Sequence, residues 1–293
     1  MNSFLYILIY IPAFFLALLP FRILFIISDF FYFILFYLIR YRRKLVKMNL
    51  KNAFPDKTDS EILKIEKDFY RYFCDYFFET VKLLNISDSE TKKHITFKNT
   101  EVLQDVLDKK QPVVLFLGHY GNWEWIPSLA LHLRLDENTV FGQIYRPLNN
   151  KAFDRFFLLL RKRFRTVNLK KHDVFRDIVK IRKENKNWIL GFMSDQKPSG
   201  NQAPHVVRFL NQETPVLTGT ERIAQHTGAA VCYLDITRTK RGYYEVDTPI
   251  IFDNAADTSE FEITEKYINC LEQTIERNPA CYLWTHNRWK LRI

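Results

Sequence analysis

The sequence lacks the short motifs that identify several large classes of enzyme. It has no G-x-S-x-G nucleophile turn, no Walker phosphate loop, no dinucleotide fingerprint and no H-E-x-x-H zinc motif. Its four cysteines form no C-x-x-C pair and show no metal-ligand spacing, so we expect free thiols in a reducing compartment rather than a disulfide framework. No metal site and no nucleotide-binding motif is therefore visible in the sequence.

The first forty residues almost lack charge. No charged residue occurs in Phe4–Phe21, which is about the length that crosses the hydrocarbon core of a bilayer. Arg22 interrupts, and Ile23–Ile39 is apolar again except for Asp29. No basic leader or small-residue cleavage site marks a signal peptide. Residues 1–40 are therefore predicted to be a membrane anchor. Two forms stay open, a transmembrane helix followed by an interfacial helix or a kinked hairpin within one leaflet.

Positive charge is abundant and unevenly distributed. The net charge is +10, yet residues 40–51 hold six basic and no acidic residues, and residues 151–186 hold thirteen basic and four acidic ones. Phosphates, an anionic membrane surface or an acidic carrier protein would suit such segments. Solvated helix faces are the alternative, above all for residues 151–186. The first basic segment directly follows the apolar region, which predicts that it lies on the cytoplasmic side of a membrane.

Residues 41–293 read as one globular unit in which apolar strands alternate with amphipathic helices. This alternation predicts an α/β fold with a mostly parallel sheet flanked by helices. The predicted strands are 112–117, 139–145, 166–170, 188–194, 230–236 and 243–249. The predicted helices are 60–84, 101–109, 123–134, 150–164, 173–185, 217–227 and 258–277.

A histidine and a carboxylate stand five positions apart in Gly118–Glu124, directly after the first of these strands. Asn122 is a suitable N-cap for the next helix, which places His119 on the strand-to-helix turn and Glu124 in the first helical turn. There the carboxylate can bond one ring nitrogen, fix the tautomer and leave the other nitrogen free as a base. An ordinary loop histidine is the alternative.

Further polar residues follow two other predicted strands. Arg146 ends the strand 139–145, and Asp195 with Gln196 ends the strand 188–194. Because ligands of α/β sheets bind at the strand ends, we expect His119, Arg146 and Asp195 to meet at one edge. Arg146 could there hold an anion or stabilise a developing oxyanion. A surface arginine and a turn-stabilising aspartate are the alternatives.

The segment Gly118–Glu124 resembles the H-x4-D/E block of glycerolipid and lysophospholipid acyltransferases. The form is that of the bacterial lipid A (lauroyl/myristoyl) acyltransferases. Other matching segments follow in the same order along the chain: Asn52–Pro55, Tyr145–Asn149, Asp195–Gln196, Val207–Leu210, Thr214–Pro215 and Tyr282–Lys290. Two segments depart from the family pattern, Arg208–Asn211 and Pro198–Gly200. These departures leave the acceptor open.

The resemblance implies an α/β acyltransferase that moves a fatty acyl chain from a thioester to a hydroxyl of a lipid A precursor or related lipid. The donor would be an acidic acyl carrier protein or acyl coenzyme A, with no cofactor. His119 and Glu124 would form a general-base dyad. Arg146 or the backbone amide at Gly118 would stabilise the oxyanion, with Asn122, Asp195 and Gln196 lining the site. The enzyme would act at the cytoplasmic face of the bacterial inner membrane.

Two alternatives remain open at this point. One is a lysophospholipid or aminolipid acyltransferase with the same chemistry. The other is a non-enzymatic, membrane-tethered module that binds anionic lipid. Nucleic acid is not an expected partner, because few aromatic residues stand among the basic residues of 161–171.

Overall fold

The computed structural model describes residues 2–198 and 205–289 as a mixed α/β protein. Its strands are β1 Ile95–Lys98, β2 Val113–Leu117, β3 Thr139–Tyr145, β4 Val167–Lys170, β5 Asn187–Met193, β6 His205–Phe209, β7 Gln212–Val216, β8 Ala230–Tyr233, β9 Asp235–Lys240, β10 Tyr243–Asp247 and β11 Ile250–Phe252. Its α-helices are α1 Asn2–Leu18, α2 Phe21–Phe33, α3 Arg43–Ala53, α4 Asp59–Lys82, α5 Asp88–His94, α6 Thr100–Asp108, α7 Lys151–Arg161, α8 Val174–Lys183, α9 Gly219–Thr227 and α10 Glu262–Arg277.

A six-stranded sheet in the order β11-β8-β2-β5-β3-β4 forms the centre of the molecule. The strands β8, β2, β5, β3 and β4 pair in parallel, and β11 runs antiparallel to β8. Every residue of β2 and of β8 is buried, as their continuous apolar runs predict for strands covered on both faces. The carboxyl ends of β2, β5 and β3 therefore lie side by side along one edge.

Smaller sheets complete the fold. The strands β1, β10 and β9 form a three-stranded sheet, and β6 with β7 forms a hairpin. Sequence patterns did not predict β1, β6, β7 or β11, which are only three to five residues long. Strands of that length carry little periodicity.

The segment after β2 differs from its predicted α-helix. Trp123–Leu131 is a 3₁₀ helix that contains Pro127. Proline has no backbone N–H and its ring crowds the preceding turn, so a regular α-helix is disfavoured here.

The two amino-terminal helices pack on the rest of the chain. Helix α1 contacts α4 and α7, while α2 packs along α4 and continues into a π-helical turn at Ile34–Leu38. The continuous helix Phe21–Leu38 is long and apolar enough to cross a membrane, judged by length and composition alone. Helix α4, the longest in the described chain, thus contacts both amino-terminal helices.

Candidate active site

His119 and Asp195 lie together at the strand edge. The Nδ1 atom of His119 is 2.7 Å from Oδ1 of Asp195, and the backbone N–H of His119 donates to Oδ2 at 3.1 Å. The parallel register explains the contact, because Leu117 of β2 pairs with Met193 of β5. Each polar residue stands two positions beyond this pair. Adjacent parallel strands are only about 4.8 Å apart, so the two side chains meet.

The ring contacts define which nitrogen of His119 can act as a base. With Nδ1–H donated to Asp195, Nε2 carries a lone pair. The side-chain Nε2 of Gln196 lies 3.1 Å from this nitrogen, at the distance of a donated hydrogen bond. A substrate hydroxyl that approached His119 would take the place of this amide.

Asp195 is 2% exposed and remains ionised. Burial by itself raises the pKa of its carboxyl. The charge of His119 and the hydrogen bonds that His119 donates outweigh burial, so the pKa lies below its ordinary value of 3.8. Burial and the nearby charge of Asp195 both raise the pKa of the Tyr282 phenol, which stays neutral. Asp195 therefore presents a fixed negative charge to the imidazole.

Glu124 does not occupy the place predicted for it. Both of its carboxylate oxygens bond Arg161 of α7, at 2.5 and 2.8 Å, and Glu124 is 3% exposed. Within the described residues, no hydrogen bond joins Glu124 to His119. The 3₁₀ geometry of its segment directs the carboxylate toward α7 instead. The predicted contact is thus wrong in position, and Asp195 contacts the imidazole.

Asn122 also differs from its predicted role. Its side chain makes no cap bond to the following helix and donates instead to Oε2 of Glu79, at 2.9 Å. Glu79 lies on α4, is fully buried and also accepts from the Tyr244 hydroxyl at 2.7 Å. Burial raises the pKa of Glu79 despite the opposing charge of Arg238. Asn122 therefore fastens the loop that carries His119 to α4.

The two glycines beside His119 permit close packing. A Cβ atom at Gly118 would lie 2.5 Å from the Leu271 side chain of α10. At Gly121 the backbone has φ +56°, and a Cβ atom would lie 2.6 Å from Ile236. The space that a side chain would fill at either glycine is occupied by the protein interior. The two glycines therefore let the loop pack closely, and they do not open space for a ligand.

Arg146 lies at the end of β3, on the same edge as His119 and Asp195, as predicted. It is exposed and follows the last paired residue of the strand, Tyr145. Burial and the charge of Arg146 lower the pKa of Lys171, which follows β4 on the neighbouring strand. Two cations thus stand next to each other on this edge.

A narrow apolar slot begins next to the histidine. It lies between the sheet and the Trp123–Leu131 segment, and only about 20 Å³ of its interior is free, roughly the space of one water molecule. The ring centre of Trp123 is 5.2 Å from that of His119. The lining residues are Leu115, Leu117, Trp123, Glu124, Ile126, Pro127, Phe141, Gly142, Gln143, Ile144, Arg161, Thr166, Gly191 and Met193. The Glu124–Arg161 pair is a wall of this slot.

The carboxyl-terminal segment contributes to the site in a way that its local sequence did not predict. The backbone of Tyr282 bridges that of Tyr120, and the N–H of Leu283 donates to the carbonyl of His119 at 3.1 Å. The chain that follows brings in His286, whose Nε2 accepts from the backbone N–H of Lys197 at 3.5 Å. The only sequence feature that pointed to this segment was its resemblance to the family pattern.

After His286, Arg288 is the second residue of this segment that was not predicted as a site residue. Its side chain is buried, with the residue 1% exposed, and only Nη2 has a partner among the described residues, the carbonyl of Pro215 at 2.6 Å. Burial lowers the pKa of this guanidinium, and its electrostatic interactions with the Tyr282 hydroxyl and the Asp195 carboxylate oppose that effect. The buried donors at Nε and Nη1 thus have no hydrogen-bond partner among the described residues. Buried donors are usually satisfied in folded proteins.

Parts of two predicted segments lie outside the described residues. They are Ser199 and Gly200 of the departing segment and Lys290 of the carboxyl-terminal segment.

The site thus combines an imidazole held by a buried carboxylate with an apolar slot at the strand ends of an α/β sheet, and such an imidazole can accept a proton. The chain belongs to the bacterial lipid A biosynthesis acyltransferase family, whose model matches residues 2–291. It is accordingly an acyltransferase. No curated protein matches the chain.

Proposed function

We propose that this chain is a membrane-bound enzyme that transfers a fatty acyl group from a thioester to a hydroxyl of a lipid A precursor or a related lipid. The observation that carries the proposal is the hydrogen bond of 2.7 Å between His119 Nδ1 and Asp195. It leaves Nε2 as the proton acceptor at a site next to an apolar slot. The family supplies the reaction class, and these residues supply a means of performing it.

In this reaction His119 acts as general base without a covalent acyl-enzyme. The acceptor hydroxyl attacks the thioester carbonyl while Nε2 of His119 takes its proton, and Asp195 stabilises the resulting imidazolium. The tetrahedral intermediate then collapses. Its carbon–sulfur bond breaks, the ester forms, and the thiolate leaves with the proton returned by His119. The backbone amide at Gly118 and the guanidinium of Arg146 are the proposed oxyanion donors.

The acyl chain is proposed to enter the slot between the sheet and the Trp123–Leu131 segment, whose walls must separate to admit it because only about 20 Å³ is free there. Its lining is apolar apart from the Glu124–Arg161 pair and a few other polar groups, and the lining residue Trp123 contacts the ring of His119. In this proposal Glu124 belongs to the site because it holds Arg161 in the wall of the slot. Gln196 covers the base nitrogen until the acceptor arrives.

The donor is proposed to be an acyl carrier protein, and the acceptor a phosphorylated lipid of the bacterial inner membrane. The basic residues of 151–186 suit an acidic protein surface, and Arg146 with Lys171 suits a phosphate near the strand ends. The apolar helices α1 and α2, followed by the basic residues of 40–51, suit attachment to the cytoplasmic face. Residues 1–40 are thus the proposed anchor and residues 41–293 the proposed catalytic part.

The test uses the full-length protein in lipid vesicles with radiolabelled acyl-acyl carrier protein or acyl coenzyme A. A lipid A precursor, a lysophospholipid and an aminolipid are offered as acceptors. We expect acylation of the lipid A precursor, its loss in His119→Ala, and its retention in the control His226→Ala, which alters an exposed histidine outside the proposed binding segments. Acylation of the lysophospholipid alone would refute the proposed acceptor. Full activity of His119→Ala would refute the base.

A further inference from the structure

Helices α1 and α2 each present one apolar face to the outside of the protein. On α1 the exposed residues recur every three or four positions, as they do along one side of a helix. On α2 and its continuation the buried residues Leu24, Ser28, Tyr32 and Phe36 recur every four positions and mark the side that faces the protein. The exposed residues of α1 are Phe4, Ile7, Leu8, Ile11, Phe15 and Leu18. Those of α2 and its continuation are Ile23, Ile26, Phe30, Phe31, Phe33, Tyr37 and Leu38. A stripe on each helix, rather than a ring around it, indicates that only one side meets an apolar environment.

The opposite side of α2 is bound to the catalytic part at the middle of the helix. Ser28 Oγ donates to Asp75 of α4 at 2.7 Å. Arg241, in the β9–β10 turn, makes two hydrogen bonds to Asp29, at 2.7 and 3.0 Å, and also bonds Asp75. Asp29 lies at the centre of the apolar helix Phe21–Leu38. If that helix crossed a bilayer, these contacts would fall roughly 15 Å from the nearer interface, within the hydrocarbon.

The β9–β10 turn is built for close approach to α2. Gly242 has φ +75°, and a Cβ atom there would lie 2.7 Å from the ring of Phe25. Arg241 donates to the backbone carbonyl of Phe25 at 3.1 Å, next to this ring. The contact between this turn and α2 therefore requires a glycine in a left-handed conformation.

The corner between α1 and α2 is held as well. Lys82 Nζ, at the end of α4, donates to the carbonyls of Ala17 and Leu19 at 2.8 and 2.7 Å, where α1 ends. Phe21 stacks on the buried ring of His94, with 4.1 Å between ring centres. Both the corner and the middle of α2 thus lie against the catalytic part.

We propose that α1 and α2 form a hairpin that lies within one leaflet of a phospholipid bilayer, so that neither helix spans it. The inference rests on the proposed membrane attachment and specifies its geometry. The two stripes enter the hydrocarbon, and the inner faces stay on the protein. Exposed Arg40, Lys44 and Lys47 directly follow the apolar helix and face anionic headgroups. This charge at the edge of the apolar surface favours a bilayer over a second copy of the chain as its occupant.

The depth of individual positions in the bilayer tests this geometry. Nitroxide labels are placed singly along the stripe of α2, at Ile23, Ile26, Phe30, Phe33 and Tyr37, in the full-length protein. The vesicles contain phosphatidylethanolamine and phosphatidylglycerol. We expect similar depths at all five positions, none beyond about 15 Å, half of the hydrocarbon thickness. Depth that rises to the bilayer centre at Phe30 and falls again toward both interfaces would overturn the proposal.

The two proposals fail in different ways. If the protein does not float with vesicles at all, membrane attachment itself is refuted. If it floats and the α2 labels report a crossing helix, only the single-leaflet hairpin is refuted. Labels that approach one another between copies, and that lipid-borne quenchers do not reach, would show a dimer interface and would also overturn the hairpin.

A variant pair tests the attachment of α2 through Arg241. Arg241→Gln loses the bidentate contact with Asp29, and we expect proteolysis between α1 and α3 to increase at least fivefold in vesicles. The control Lys240→Gln alters the preceding residue, which is exposed and contacts the Tyr243 ring instead. Equal protection in both variants would show that Arg241 does not hold the helix.

Discussion

Asp195 contacts His119 at two points, its ring Nδ1 and its backbone N–H, at 2.7 and 3.1 Å. One carboxylate thereby fixes both the rotation of the imidazole and the position of the loop that carries it. Glu124, five residues after His119, is fully engaged by Arg161. The two carboxylates that sequence reasoning placed near His119 therefore have different partners, and their variants should differ.

Replacing Asp195 by Asn should lower kcat by about 10²- to 10⁴-fold with little change in folding, because the amide no longer fixes the required tautomer or balances the imidazolium. Glu124→Gln should instead lower the free energy of unfolding by roughly 1–3 kcal/mol, since it replaces the buried ion pair with Arg161 by weaker hydrogen bonds to a neutral amide. Steady-state kinetics and chemical denaturation of both variants check this. An active Asp195→Asn beside a stable, inactive Glu124→Gln would reverse the two assignments.

Filling the slot at Gly191 should shorten the preferred acyl chain. A Cβ atom there would have its nearest neighbours at 3.8–3.9 Å, so alanine and valine should enter the slot without displacing the backbone. Competition among acyl donors of different length gives the measurement. Gly142→Ala is the contrasting variant, because its Cβ atom would lie 2.6 Å from the carbonyl of Val167 and should lower stability. Unchanged chain preference in Gly191→Val would place the acyl chain elsewhere.

Removing the buried charge at Arg288 should separate activity from stability. Arg288→Met loses one hydrogen bond, worth about 1 kcal/mol, but relieves a buried cation with unpaired donors, so Tm should stay constant or rise. If those donors serve the reaction, kcat/KM should fall at least tenfold. Arg222→Met, on an exposed arginine, is the control. A fall in Tm that parallels the loss of activity would assign Arg288 a structural role.

The raised pKa of Glu79 predicts a pH-dependent loss of stability. Because burial favours its neutral form, Glu79 contributes stability that is complete below its unfolded pKa of about 4.5 and is lost as pH rises through its higher folded pKa. Glu79→Gln retains an acceptor for Asn122 without this titration. The unfolding free energy of the wild type should therefore fall relative to Glu79→Gln as the pH rises above about 4.5. Parallel curves from denaturation at several pH values would contradict this.

Much of the sheet edge follows from local pattern. The strands β2, β3 and β5 were predicted within one or two residues, since each is an apolar run bounded by turn-forming or polar residues. Parallel strands place their carboxyl ends together, so the location of His119, Arg146 and Asp195 on one edge follows from the same pattern. The contact found there joins His119 and Asp195. Amphipathic periodicity, which is also a local property of the sequence, predicted α4 and α7.

Contacts between segments that are distant in the sequence could not be predicted from local patterns. Arg161 lies 37 residues beyond Glu124 on another helix, and the bridge from Tyr120 reaches Tyr282 near the end of the chain. Nothing in the local pattern of Asn122 distinguishes a helix cap from a side chain that reaches Glu79. The burial of Arg288 is likewise a property of the β6–β7 hairpin, whose strands are too short to be recognised by periodicity.

The position of a histidine at a strand end, behind an apolar amino-terminal segment, follows from the sequence alone, because residue order and hydrophobic period are local properties. The family follows from the sequence as well. Which carboxylate holds the imidazole depends on the folded chain. That choice depends on the register that pairs Leu117 with Met193 and so brings Asp195 to His119 across 76 residues of chain. Sheet register is a relation between strands, and the segment Gly118–Glu124 does not contain it.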